Sequence, residues 1–251
     1  MELEPQLWAL GFGVGILVGL TGMGGGSLMT PALVLMGFRP AVAVGTDLVQ
    51  MAIMKLVGAA QHLRQGTVEL RLVLLLALGS VPGSLLGTLI LPLWERLGIS
   101  VDDLLRHLLG VVLVVAAGFL LLRVRRPLSM GEGAYPWAKA SLVLASFVVG
   151  MLVAWTSVGS GVLLMALMAS TVSLPVVKLV GTDLVNACLI TLVAGAAHWG
   201  IGNVDWGLVL QLLLGSIPGV LAGSYLGRRF SDERLRAVVG MVMLAVGVRL
   251  L

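Results

Sequence analysis

Apolar runs dominate the chain, near residues 6–21, 25–37, 41–63, 68–93 and 103–122, then 138–156, 160–173, 177–198, 204–227 and 235–251. Polar or small-residue gaps separate them. A helix needs roughly 20 apolar residues to cross a bilayer, with about 17 as a lower limit. Runs 25–37 and 160–173 fall short of that length. Each follows a longer run across a break of small residues, Thr21-Gly22-Met23-Gly24-Gly25-Gly26 in one place and Thr156-Ser157-Val158-Gly159-Ser160-Gly161 in the other. The pattern predicts two broken or re-entrant helical hairpins whose tips lie at membrane depth, where irregular backbone is tolerated only inside protein or beside a wet cavity.

The pattern also repeats. Val44-Gly45-Thr46-Asp47-Leu48-Val49 returns as Val180-Gly181-Thr182-Asp183-Leu184-Val185, an offset of 183 − 47 = 136 residues. At the same offset Gly79-Ser80-Val81-Pro82-Gly83 falls on Gly215-Ser216-Ile217-Pro218-Gly219, and His62 falls on His198. An ungapped match over this distance indicates a unit duplicated in tandem, about 1–126 and 137–251, joined by a linker at 127–136. Duplicated membrane proteins of this size are mostly transporters with a site between the repeats.

Composition agrees with the run lengths. Hydrophobic residues make up 59% of the 251 and charged ones 11%, so a soluble fold would lack polar groups for its surface. The expectation is an all-α integral membrane protein in contact with lipid. The net charge of +4 does not indicate nucleic acid, because the Lys and Arg residues sit in short loops beside apolar runs. One cysteine, Cys188, excludes disulfides and dithiol redox chemistry, and the twelve methionines read as adaptable packing. No cofactor or metal is expected. The acidic start, Met1-Glu2-Leu3-Glu4-Pro5, lacks the basic region of a cleaved signal, so the first apolar run is expected to remain in the mature protein. Trp8, Trp94, Trp137, Trp155, Trp199 and Trp206 fall mostly at run ends, as an aromatic belt would.

Loop charges choose the orientation of the repeats. Arg123, Arg125, Arg126 and Lys139 make the linker cytoplasmic by the excess of Lys and Arg. With an odd number of crossings per repeat, Arg64, Arg71, Lys178, Arg228 and Arg229 also come out cytoplasmic, and Glu95, Asp102, Asp103 and Asp205 come out external. An even number would put the arginine-rich loop 228–234 outside. The expected architecture is therefore two inverted-topology repeats, each a broken hairpin plus three transmembrane helices.

Polar residues inside the apolar runs are the candidates for chemistry. Asp47, Gln50, Met54, Lys55, Gly58, Gln61 and His62 recur at helical spacing and form one stripe; Asp183, Asn186, Thr191, Ala194 and His198 form its counterpart. A charged side chain at helix centre costs about 2.5–3.5 kcal/mol on insertion scales, so both stripes must face protein or a wet cavity. Such groups either fasten helices together or line a substrate path, and the presence of both charge signs favours the path. His62 and His198 suit helix capping or an interfacial hydrogen bond as well as a proton relay. Gly79, Gly83, Gly87 and their counterparts Gly215, Gly219, Gly223 read as close-packing faces, each with a kink at Pro82 or Pro218.

Consecutive glycines do something else. Gly22, Gly24, Gly25 and Gly26 interrupt a helix and free backbone N–H groups at the start of the next, and a half-helix N-terminus at the midplane is an anion site. The candidate substrate-binding set is Thr21, Gly22, Gly24, Gly25, Gly26 and Ser27 in the first break, with Ser157, Ser160 and Gly161 in the second. Thr46, Gln50 and Lys55 on one stripe join it, with Thr182 and Asn186 on the other. Lys55 is expected to supply a balancing charge, although its counterpart is Thr191. Asp47 and Asp183 are candidates for proton coupling, since a carboxyl buried in low dielectric can bind a proton at one face and release it at the other. The alternative is a structural clamp, each Asp accepting hydrogen bonds from the neighbouring hairpin.

The break Gly19-Leu20-Thr21-Gly22-Met23-Gly24-Gly25-Gly26, with the repeated Gly45-Thr46-Asp47 and Gly181-Thr182-Asp183, resembles the sulfite exporter TauE/SafE family, also described as toluenesulfonate uptake permeases. The resemblance covers essentially the whole chain. It implies a secondary transporter of sulfur-containing anions, such as sulfite, sulfoacetate or other sulfonates, in a prokaryotic inner membrane, with a homodimer among its possible assemblies. At the 136-residue offset the second half departs from the glycine pattern, Gly22 falling on Val158, Gly24 on Ser160 and Gly26 on Val162.

Two other classes fit parts of the sequence. Gly159-Ser160-Gly161 with His198 suggests an intramembrane serine protease, but Val158 stands where that context wants a glycine. An anion channel could use the same midplane site. Channels need a continuous wet pore, whereas inverted repeats around one site suit alternating access.

Overall fold

The structure, a computed structural model, describes residues 4–21, 26–121, 136–172, 174–227 and 232–251. Every regular element among them is a helix. The first half contains α1 (Pro5–Thr21), α2 (Gly26–Leu35), α3 (Pro40–Arg64), α4 (Leu70–Leu89), α5 (Leu91–Arg96) and α6 (Val101–Leu121). The second contains α7 (Pro136–Thr156), α8 (Leu163–Thr171), α9 (Val176–Gly200), α10 (Trp206–Gly227) and α11 (Asp232–Leu250). Five stretches are long and apolar enough to cross a membrane: α3, the joined Leu70–Arg96, α6, α9 and the run Trp206–Leu226 in α10. With 10 and 9 residues, α2 and α8 are far too short, at about 1.5 Å per residue. Side chains such as Val57, Leu74, Leu78, Leu221 and Val248 stand exposed, an apolar exterior suited to lipid. The protein is a multi-pass membrane protein.

Small residues decide which helices meet. A Cβ on Gly79, Gly83 or Gly150 would collide with the backbone at Val143, Phe147 or Ser80, so α4 and α7 touch backbone to backbone and run parallel. In the other half Gly215, Gly219 and Gly223 press on Trp8, Phe12 and Ile16 in the same way, joining α10 to α1. The two glycine triplets are thus packing faces, as their spacing predicts. Each half contributes the first helix of one pair and the fourth of the other.

The counterpart helices α3 and α9 lie together and run antiparallel. Gly45, near the start of α3, meets Asn203 just beyond α9, while Gly181, near the start of α9, meets Thr67 just beyond α3. Thr46 Oγ1 accepts the N–H of Asp205 at 3.1 Å, and Thr182 Oγ1 accepts the N–H of Glu69 at 3.0 Å. Helices α6 and α11 are antiparallel too, Gly110 against Gly247 at one end and Leu121 against Gly240 at the other. The ion pairs Arg39–Asp102 (2.9 Å) and Lys178–Glu69 (3.5 Å) mark opposite ends of the bundle.

These contacts correct one correspondence. Gly15 packs on Ser216 as Gly150 packs on Ser80, and Gly219 meets Phe12 as Gly83 meets Phe147. Ser80 and Ser216 stand 136 residues apart, but Gly15 and Gly150, like Phe12 and Phe147, stand 150 − 15 = 135 apart. A one-residue slip therefore separates the first helix of each half from the rest. In this register Thr21-Gly22-Met23-Gly24-Gly25-Gly26 falls on Thr156-Ser157-Val158-Gly159-Ser160-Gly161. Glycine is retained at two of the four glycine positions and replaced by serine at the other two, so the second break departs less from the first than a constant offset indicates.

Candidate functional site

The break between α7 and α8 is held open by its own residues. Ser157 adopts φ 59°, the left-handed region that disfavours side chains, and Gly159 adopts φ 108°. Thr156 stays tied to the helix behind it through the carbonyl of Leu152, 2.7 Å away. Ser157 is compensated by a bond across the halves: its hydroxyl donates to Asp47 Oδ2 at 2.7 Å. Thr30 of α2 donates to the same oxygen at 2.7 Å. Asp47, 1% exposed, thus joins both short-helix hairpins to α3. Its other oxygen, Oδ1, is buried without a partner.

Lys55 lies two turns further along α3 and is 5% exposed. Its Nζ donates to Ser160 Oγ at 2.7 Å, so α3 touches the second break twice, at Ser157 and at Ser160. Lys55 forms no ion pair with a described residue, although Asp183 and Asp47 are both within electrostatic reach. Gly161 follows in the same turn.

Asp183 is buried like its counterpart but differently supported. Among the described residues no hydrogen bond holds it, and its Oδ1 has no partner. The sequence explains this. With the slipped register, the positions matching Thr30 and Ser157 are Met165 and Gly22, which have no hydroxyl.

The amides form a matched pair. Gln50 Nε2 donates to Ser216 Oγ at 2.9 Å, and Ser80 Oγ donates to Asn186 Oδ1 at 3.2 Å. Gln50 Oε1 and Asn186 Nδ2 are left buried and unpartnered. Gln50, Asp47 and Lys55 line a cavity of about 200 Å³ between α1, α3 and α10, whose walls include Met29, Met51, Met54, Val220 and Ser224.

The expected site residues therefore divide. Asp47, Gln50, Lys55, Ser157 and Ser160 converge around α3. Asp183 and Asn186 sit at the matching place on α9. Thr46 and Thr182, expected at the substrate, instead fasten the start of each long helix to the backbone preceding α10 or α4. Thr21 is the last residue of α1, and Gly26 and Ser27 are the first two of α2. Gly22, Gly24 and Gly25 lie outside the described residues. His198 is fully buried rather than interfacial and bonds the carbonyl of Ala154 through Nε2 at 2.9 Å. Sequence reading missed Thr30, Ser80 and Ser216. The serines were visible inside the repeated Gly-Ser-x-Pro-Gly, whose glycines alone drew notice.

Comparison with known proteins places the chain in a family. The profile of the family described as sulfite exporter TauE/SafE matches residues 7–250. The "Probable membrane transporter protein YjnA" of Bacillus subtilis (strain 168) is 39% identical over 99% of this chain and 100% of its own length. A "Probable membrane transporter protein" of Xylella fastidiosa (strain 9a5c) is 25% identical over 99% of this chain and 95% of its own. The "Probable membrane transporter protein YunE" of Bacillus subtilis (strain 168) is 24% identical over 98% and 96%. No solved structure matches. From the duplicated bundle and a profile match over nearly its whole length, the chain belongs to the sulfite exporter TauE/SafE family.

Proposed function

We propose that the protein is a secondary transporter of sulfur-containing oxyanions, sulfite, sulfoacetate or another organosulfonate, in a prokaryotic inner membrane. The observation that carries this reading is Lys55. A buried ammonium without an ion-pair partner is costly, and a lysine inside a membrane helix that faces a cavity suits a counter-anion. Ser160 and the amides of Gly24, Gly25 and Gly26 are the proposed further donors, with Thr21, Ser27 and Ser157 beside them.

The repeats are inverted on this reading. Antiparallel α3 and α9, reciprocal bonds from Thr46 and Thr182, and reciprocal glycine contacts support an axis in the membrane plane. Alternating access then means rocking of the halves about the site, with the Asp102 end of the bundle external and the Lys178 end cytoplasmic. Protons are the proposed coupling ion. Asp183, with no hydrogen bond from a described residue, is freer to exchange a proton than Asp47, whose Oδ2 accepts two hydroxyls.

Purified protein titrated with sulfite, sulfate, thiosulfate, sulfoacetate and taurine tests the substrate class, and a failure to bind any of them rejects it. Replacing Gly25 by Leu should abolish binding while the protein stays folded in detergent; unchanged affinity rejects that half of the site. If Asp47→Asn and Asp183→Asn proteins both still transport along an imposed pH gradient, the carboxyls are not the proton carriers. Flux that does not saturate and ignores a gradient on the far side would favour a channel.

A further inference from the structure

The cavity beside Lys55 has a second chemistry. Asp47 Oδ1 and Gln50 Oε1 both belong to residues that line it, both are fully buried, and neither has a partner. They stand three residues apart on α3 and so share a face. Ser157 and Thr30 occupy the other oxygen of Asp47, and Ser216 occupies the amide nitrogen of Gln50. Ser216 in turn points its hydroxyl at Met54 Sδ, 4.0 Å away, which leaves the Gln50 carbonyl facing no protein donor.

What remains open is therefore acceptor only. An anion held by Lys55 cannot satisfy a carboxylate oxygen and an amide oxygen. Leaving two buried acceptors bare costs roughly 1–3 kcal/mol each, more for the charged one. Hard cations take oxygen ligands of this kind.

We propose that Asp47 Oδ1 and Gln50 Oε1 form a subsite for a compact monovalent cationic group, either a sodium ion or the ammonium of an amino-substituted sulfonate. The proposal rests on the reading of this cavity as part of the substrate path. The cation neutralises Asp47 and leaves Lys55 to the anionic end of the ligand. The counterpart on α9 offers Asn186 Nδ2, a donor, where α3 offers an acceptor, so the described residues of α9 do not repeat this subsite.

Two arms separate the sources. In the first, thermal unfolding of the purified chain in detergent is followed in sodium chloride and in choline chloride of equal ionic strength, with no sulfur compound present. In the second, 2-aminoethanesulfonate and ethanesulfonate are titrated in sodium-free buffer. The expected result is a saturable sodium-dependent rise in the unfolding midpoint, or at least about tenfold tighter binding of the ammonium-bearing sulfonate, a difference of about 1.4 kcal/mol. Asp47→Asn, which keeps an acceptor for Thr30 and Ser157, should remove whichever effect is seen. Gln50→Glu should strengthen it, by about tenfold, because a second carboxylate replaces the amide oxygen. The proposal is overturned if neither cation has an effect, or if the effect survives Asp47→Asn undiminished. Should Asp47→Asn fail to fold, an unchanged affinity in Gln50→Glu overturns it equally. The first arm contains no sulfur oxyanion and the same chloride in both salts, so its outcome stands apart from whether sulfonates bind at all.

Discussion

Helices α3 and α9 begin with the same Gly-Thr-Asp, pack against each other, and make matching bonds at Thr46 and Thr182, yet they do not carry the same chemistry. On α3 the carboxylate is clamped by two hydroxyls, and a lysine follows two turns later. On α9 no described residue hydrogen-bonds the carboxylate, and Thr191 returns its hydroxyl to Ala187 of its own helix at 2.9 Å. The partners trade places as well: the second break supplies Ser157 and Ser160 where the first has Gly22 and Gly25. The first half brings Asp47, Lys55 and the Thr30 hydroxyl, and the second brings the Ser157 and Ser160 hydroxyls that meet them. The repeated segments keep the frame in which α3 and α9 meet, while the polar groups around them differ.

This contrast can be broken most sharply at Lys55. Lys55→Thr makes α3 resemble α9, and removing one charge from a buried cluster should cost about 3–5 kcal/mol, more than a hundredfold in anion affinity measured by calorimetry. Thr191→Lys in that background should not restore binding, because the first break carries Gly25 where the second carries Ser160, the hydroxyl that Lys55 uses. Recovery would show the halves to be interchangeable.

The frame should behave the opposite way, alike in both halves. Gly83→Ala and Gly219→Ala each push a methyl group into a facing backbone carbonyl, at Phe147 and Phe12. Each should destabilise the fold by about 1–3 kcal/mol in a denaturant titration, and a large difference between them would show that the two interfaces are not equivalent.

Asp47→Ala and Asp183→Ala separate clamp from bare carboxyl. The first strands Thr30 and Ser157 and should cost about 2 kcal/mol more in thermal unfolding than the second. Equal losses would mean the hydroxyl clamp contributes nothing.

The smallest effect belongs to the matched threonines. Thr46→Val and Thr182→Val should each cost about 1 kcal/mol, since each removes one acceptor from a backbone N–H while keeping the shape. Sulfonate affinity should stay unchanged in both, which would confirm that they fasten helices and do not touch substrate.

Much of this was legible in the chain. Apolar run lengths placed the long helices, and the small-residue gap at 157–161 marked a real break. The repeated Gly-Thr-Asp revealed the duplication, and the glycine triplets marked the packing faces of α4 and α10. The stripe on α3 was readable because helical periodicity puts Asp47, Gln50 and Lys55 on one side whatever lies opposite. Its partners were not readable. Thr30 sits in an apolar helix with nothing local to mark it, and the one-residue slip hides behind a duplication that looks ungapped elsewhere.

The sequence alone determined local quantities: which segments are apolar, where they stop, which side chains share a face, and that the unit occurs twice. Only the tertiary structure decided what each face meets. Asp47 and Ser157 are 110 residues apart, Lys55 and Ser160 105, and no periodicity within a helix encodes contact over such a distance. Two helices with the same Gly-Thr-Asp start differ in their surroundings because hydroxyls meet the carboxylate of Asp47, while no described hydroxyl meets that of Asp183.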